Sequence, residues 1–304
     1  MRISTQATSQ SALMELMRAQ RESFEAQEQL SSGKKASDLK GYATSVETIL
    51  TARAAQTRAD AFIESNKRLA ARLEVQDLAY QELSDAADQL RQSLTTIDGT
   101  ALMNNVQGAF DRAVVALSTK FAGSFVFSGV RTDTAPINVS TLDELQAAVP
   151  SGTAAFDDAE RRQTQQIDNE TTLDVNATAS EVASELFGVF ERLADYNDGV
   201  NGPFDGLMSD TQQAYIQTEI ARVIDAFDTI NAAMAENGSR QARVEASIRS
   251  HEDRSSYLTT MIADLEDADM AEAATRLTTA QNAIEVSART FASLSQLSLL
   301  PYLR

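Results

Sequence analysis

The side chains of this 304-residue chain that could carry chemistry are mostly carboxylates. Paired carboxylates do general acid–base work in hydrolases, and clustered ones hold hard cations such as calcium. Three sets invite that reading. They are Asp157 and Asp158 in "FDDAE", Glu266, Asp267 and Asp269 in "LEDADMAE", and Asp195, Asn197, Asp198 and Asp205 in "DYNDGVNGPFDG". The last set fails the EF-hand spacing, because Val200 stands where the sharp turn needs glycine. There is one histidine, His251, and no cysteine, so thiolate nucleophiles and Cys/His metal sites are excluded. A serine nucleophile would need His251 beside it, and the chain contains no G-x-S-x-G elbow. "LSSGKK" (30–35) offers a Gly-Lys pair but lacks the first glycine of a phosphate-binding loop. The N-x-S/T triplets at Asn138, Asn169 and Asn176 arise readily by chance in stretches this rich in serine and threonine.

With 44 acidic and 26 basic residues, and a formal charge of −18, solvated carboxylates are the plainer explanation of every acidic pair. No enzymatic activity, cofactor or metal is therefore expected; an acidic metal-dependent hydrolase using the central carboxylates is the rival from another class. The charge is unevenly placed. Residues 133–210 carry 16 acidic residues against Arg161, Arg162 and Arg192, whereas residues 1–60 carry 8 basic and 7 acidic ones. Phosphate binding needs clustered Lys/Arg, so nucleic acid is not the expected partner. The acidic centre reads as a solvated outer part and the near-neutral ends as the associating part. No window approaches the roughly 20 apolar residues of a membrane helix, and "MRISTQATSQ" has no apolar signal-peptide core. Neither a membrane partner nor Sec export is expected.

The elements that must position these residues are mainly helical. From Phe62, apolar or small residues recur at steps of three and four through Leu69, Leu73, Tyr80, Leu83, Ala87, Leu90, Leu94 and Ile97, interrupted by Asn66 and Gln76. "IDGT" (97–100) ends or bends that helix, and a second stripe follows through Met103, Val106, Phe110, Val114, Leu117 and Phe121. The second half mirrors this layout. An amphipathic helix with Ile216, Ile220, Ile224, Phe227, Ile230 and Met234 precedes Gly238, and a seam through Val244, Ile248, His251, Leu258, Ile262 and Leu265 follows it. His251 reads as a packed seam residue. Between the two helical halves, "SFVFSG" and "TTLDVNA" alternate like strands and "TDTAPINVS" holds Pro136, which predicts a small β-containing insertion over 123–179. A helix with Val182, Leu186, Val189, Phe190 and Leu193 on one face comes next, then a loop over 195–206.

At the C-terminal end Met270, Leu277, Ile284 and Phe291 fall seven apart, with Ala273, Ala280 and Ser287 three residues after the first three. A period of seven asks for a coiled-coil partner, and small residues let that partner approach closely. The N-terminal helix is an imperfect one, because Leu13, Leu16, Met17, Phe24 and Leu30 are separated by Gln20, Arg21, Gln27 and Glu28. Such a pair would be marginal on its own. "SLSQLSLLPYLR" continues the seam, with Pro301 expected to stop the helix after Leu300 and Tyr302 and Leu303 left as a plug.

"LSSGKKASD", "FAGSFVFSGVRTDTAPI" and "LEDADMAEAATRLTTAQNAIEVSARTFASLSQLSLLPYL" resemble the flagellin superfamily, and within it the hook–filament junction branch. The matches cover roughly the first 135 and last 65 residues, in order. After "LSSGKK", "DLKGYA" departs from the usual "DDPA"-like continuation, which bears on local turn geometry. The resemblance implies a mainly α fold of long antiparallel helices from both chain ends, with a small β-containing insertion. It implies a terminal assembly domain (1–40 and 270–304) that orders on assembly, a long-helix rod (41–122 and 180–269) and an outward-facing insertion (123–179). The implied role is a structural subunit between hook and filament, the filament flagellin itself being the alternative. Implied partners are further copies in a ring, hook-associated protein 1, flagellin, the flagellar type III export apparatus and an export chaperone. The implied location is the extracellular flagellum. The assembly interface expected from resemblance and pattern is Ile3, Leu13, Leu16, Met17, Phe24, Leu30, Met270, Leu277, Ile284, Phe291, Leu294, Leu297, Leu299, Leu300, Tyr302 and Leu303.

Overall fold

The computed structural model describes residues 2–42, 44–148 and 154–296. Seven helices lie within them: α1 (Arg2–Ser32), α2 (Val46–Leu94), α3 (Leu102–Leu117), α4 (Leu142–Ala147), α5 (Ala179–Asp198), α6 (Asp210–Glu266) and α7 (Met270–Gln296). Strand β1 (Lys120–Phe121) pairs antiparallel with β2 (Ser124–Phe125), and β3 (Thr164–Gln166) with β4 (Thr172–Asp174). The fold is mainly α with two small hairpins. The chain divides into two compact units, residues 1–59 with 253–304, and residues 60–252. Both boundaries fall inside the long helices α2 and α6, deeper than the 40/41 and 269/270 limits drawn from sequence.

The larger unit is built on the three-and-four spacing of its helices. Leu83, Leu90 and Leu94 of α2 meet Val106, Phe110 and Leu117 of α3, together with Val223 and Ile230 of α6. The α5 face read from sequence, Val182, Leu186, Val189, Phe190 and Leu193, is buried in this core. Phe110 meets both Phe187 and Phe190, with ring centroids 5.5 Å apart in each pair. A capping box starts α5, in which the Thr178 hydroxyl takes the Glu181 amide and the Glu181 carboxylate takes the Thr178 amide.

Three local expectations change. First, α6 runs unbroken through Gly238. A mid-helix glycine costs about 1 kcal/mol, and the neighbouring side chains hold the helix there: Asn237 and Gln241 each donate to the Leu73 carbonyl at 3.0 Å. Second, α5 extends to Asp198, so the 195–206 loop starts later than its composition implied. Third, "SFVFSG" contributes only Ser124 and Phe125 to a strand. Ala122 and Gly123 take positive φ (48° and 85°) to close a tight turn, and the chain then plunges inward so that Phe127 packs edge-on to Tyr80. "TDTAPINVS" contributes a single bridge, Ile137 to Phe156.

The first polar interruption of the seam, Asn66, has a tertiary explanation. The carbonyl of Ile167, in the β3–β4 turn, accepts hydrogen bonds from Asn66 Nδ2 and Ser247 Oγ, both at 2.9 Å, and lies 3.2 Å from His251 Nε2. The Ile167 side chain sits among Leu69, Leu73 and Val244. Asn66 is thus a receptor for the insertion's backbone inside the long-helix seam. His251 is a packed seam residue as read, stacked on Phe62 with centroids 4.9 Å apart. Gln76 is likewise buried and donates to the Tyr80 hydroxyl.

Candidate functional site

Most of the carboxylates singled out for chemistry have structural partners. Asp157 pairs with Arg131, and Asp158 accepts both the amide and the hydroxyl of Ser180 at the start of α5. Asp269 accepts the amides of Ala271 and Glu272 and so caps α7. Asp195 and Asp198 accept from Gln146, and Asn197 takes the Phe204 amide. Among the described residues, no group of three or more His, Cys, Asp or Glu is placed to hold a metal ion. Nor is any described helix long and apolar enough to cross a membrane. Of the three asparagine triplets, Asn176 is fully buried and donates to the Val126 and Gly129 carbonyls.

The Gly-Lys motif and the acidic "LEDAD" motif come together, and they hold the smaller unit's corner. Gly33 adopts φ 70°, which lets its carbonyl accept the Ala268 amide while the Lys35 amide reaches the Glu266 carbonyl at 2.7 Å. Lys35 Nζ donates to the carbonyls of Asp264 (2.6 Å) and Leu265 (3.1 Å), groups that the last turn of α6 leaves without helical partners. Glu266 is 3% exposed and receives Arg53 at 2.6 and 2.8 Å and Lys34 at 3.4 Å. Asp267, hydrogen-bonded to Lys34 at 2.7 Å, holds that ammonium above the ordinary lysine range. This chemistry is cation–carboxylate pairing and backbone capping, and it joins the α1–α2 turn to the α6–α7 turn.

Outward from that corner, α1 and α7 pack against each other. Among the described residues, those they bury fully are small: Ala19 and Ala26 on α1, Ala273 and Ala280 on α7. Alanine stripes seven residues apart bring two helix axes close, and the long side chains then project elsewhere. Arg276 of α7 donates to Gln29 of α1 at 2.7 Å, which sets the antiparallel register.

The interface expected from sequence is divided by this arrangement. Leu16 and Leu30 on α1, and Leu277 and Ile284 on α7, are half-buried beside the alanine stripes. Leu13, Met17 and Phe24 on α1, and Met270 and Phe291 on α7, are exposed, Phe24 to 68%. Ile3 and Leu294 occupy helical positions, but their side chains lie outside those described. Leu297, Leu299, Leu300, Tyr302 and Leu303, with Pro301, fall outside the described residues. Two features of these helices were passed over. Met14 is 65% exposed beside Met17, and the Ala12, Ala19, Ala26 repeat was legible as a period of seven, had alanine been counted on α1 as it was on α7.

Residues 220–303 match the family model described as the bacterial flagellin C-terminal helical region. That stretch of the chain is similar to the flagellin superfamily. The flagellin-superfamily resemblance drawn from the sequence is borne out at the C-terminal end. No functionally curated protein matches this flagellin-like chain by sequence. Among solved structures, a flagellar hook-associated protein from Vibrio parahaemolyticus is similar at 16% identity and a TM-score of 0.59, covering 73% of this chain and 97% of that one. Bacillus cereus FlgL is similar at 13% identity and a TM-score of 0.53, covering 71% of this chain and 99% of that one. At such identities the likeness is one of fold.

Proposed function

We propose that this flagellin-superfamily chain is a structural subunit of the bacterial flagellum, and that it acts at the junction between hook and filament. The carrying observation is that α1 and α7, the latter inside the flagellin-matching region, pair through alanine stripes and leave large apolar side chains in water. Contiguous exposed apolar surface on a helix pair marks an association surface. In this reading the terminal helices assemble with further copies, with hook-associated protein 1 on one side and flagellin on the other. Export proceeds through the flagellar type III apparatus with a chaperone, and the acidic insertion faces outward. The role is structural rather than enzymatic, and the protein resides in the extracellular flagellum.

Antibody labelling of isolated flagella tests this directly: signal confined to the hook boundary is expected. Labelling along the whole filament, or growth of micrometre-long filaments from purified chain alone, would replace the junction role with that of a filament flagellin. Tight stoichiometric binding of calcium, magnesium or manganese in calorimetric titration would revive the hydrolase reading.

A further inference from the structure

A pocket of about 290 Å³ lies in the larger unit, where strand β4 of the insertion meets the middle of α6. Its apolar wall is Leu173, which packs with Leu69 and Val244. Arg240 also lines it while only 4% exposed. The Arg240 Nη2 donates to Glu236 at 2.6 Å, but the buried Nη1 has no hydrogen-bond partner. A cationic donor buried and left unpaired is costly, and such a group calls for an acceptor. Glu236, itself on the pocket wall, is already shared with Arg162 at 3.4 Å. Two further charges line the pocket: Arg243 on α6 and Asp174 at the end of β4, both exposed, and neither forms an ion pair among the described residues.

We infer that this pocket binds a small zwitterion of the α-amino-acid class: its carboxylate accepts from Arg240 Nη1 and Arg243, and its ammonium donates to Asp174. The balance of charge selects that class. The lining holds two cations and two carboxylates, so a plain anion would meet Asp174 and Glu236, and a plain cation would meet both arginines, each at a cost in like-charge repulsion. A ligand with both charges satisfies both sets through charge-assisted hydrogen bonds. The hydroxyls of Thr172 and Ser239 on the same wall add neutral donors and acceptors. The volume stands at the small end of ligand pockets, which start near 300 Å³, so the ligand's own side chain is short. This binding goes beyond the structural role proposed above and does not depend on it. Because β4 belongs to the insertion and α6 is a long helix of the same unit, an occupant would fasten one to the other and raise the stability of the folded chain.

The test titrates the purified full chain with glycine and with L-alanine, read by ligand-observed NMR and by thermal melts. Acetate, ethylamine and inorganic phosphate serve as probes carrying one kind of charge only. The expected result is saturable binding of both amino acids with a raised melting temperature, and binding of each single-charge probe weaker by about tenfold or more, the size of one lost charge-assisted hydrogen bond. Arg243→Gln and Asp174→Asn should each weaken amino-acid binding to a similar degree. Both side chains are exposed, so the melting temperature without ligand should stay that of the parent. Arg240→Lys keeps the charge beside Glu236 but loses the second nitrogen, and it too should weaken binding, with its fold checked by circular dichroism. Absence of saturable binding up to about 10 mM of either amino acid would overturn the inference. So would phosphate or acetate binding as tightly as glycine, which would make this a plain anion site, or amino-acid binding that Arg243→Gln and Asp174→Asn leave unchanged.

Discussion

Replacing Ala280 by leucine tests whether the terminal helices really pair through their small residues. Ala280 is 2% exposed on the α7 face that meets α1, and the register set by Gln29 and Arg276 puts it near Ala26, which is 1% exposed. A leucine there adds three carbons where two helix backbones are close. Overpacking of this kind costs about 1–3 kcal/mol. The pair has little to lose: each buried alanine methyl contributes roughly 0.8 kcal/mol, and Ala19, Ala26, Ala273 and Ala280 are its fully buried apolar residues among those described. A penalty of that size is comparable with what holds the pair together, while the core around Phe110 lies in the other unit. Amide hydrogen exchange read peptide by peptide should show α1 and α7 losing protection, with α3 and α5 unchanged as an internal reference. Limited proteolysis should then trim roughly the first 40 and last 35 residues sooner than in the parent. Phe24→Ala, at an exposed site, should leave the exchange pattern as it was. Unchanged protection in Ala280→Leu would refute the alanine-stripe reasoning, and so would a loss confined to α3 and α5.

Other expectations follow from particular contacts. Asn66→Asp buries a carboxylate against the Ile167 carbonyl and removes a donor, so urea unfolding should show a loss of about 3–5 kcal/mol. Asn66→Leu should stay within about 1 kcal/mol of the parent, because Ser247 still serves that carbonyl and the partnerless Asn66 Oδ1 disappears. Gly238→Ala should raise stability by about 0.5–1 kcal/mol, since a Cβ there meets nothing within 4 Å and the residue is helical. Asp267 raises the Lys34 pKa above 10.5, and a raised folded pKa stabilises fully below the unfolded value and is lost as pH climbs through the folded one. The corner should therefore hold across neutral pH and loosen only above about pH 10.5, read as faster exchange of the Lys35 and Ala268 amides after correction for the intrinsic rate. Loosening between pH 7 and 9 would contradict that pairing.

Periodicity was enough to place the long helices, because a three-and-four repeat over many turns has one economical solution, an amphipathic helix against another. The α5 face was largely read from sequence for that reason, with Phe187 the large side chain it omitted. Absence of cysteine and the failed motifs likewise narrowed the chemistry before any coordinates, since a missing ligand type cannot be supplied by folding. The resemblance at the two ends needed no geometry either. What escaped was set by contacts between residues far apart in the chain. Lys34 and Lys35 sat in a failed phosphate-loop motif, and Glu266 and Asp267 read as solvated carboxylates; folding brings Lys34 and Asp267 together as partners 233 positions apart. Asn66 looked like a defect in a seam until the Ile167 carbonyl arrived from the insertion. The period of seven in α7 predicted a partner but could not say which side chains would face it. Alanine and large apolar stripes run side by side on that helix, and backbone approach, a property of two helices together, put the alanines inside and left Met270 and Phe291 facing water.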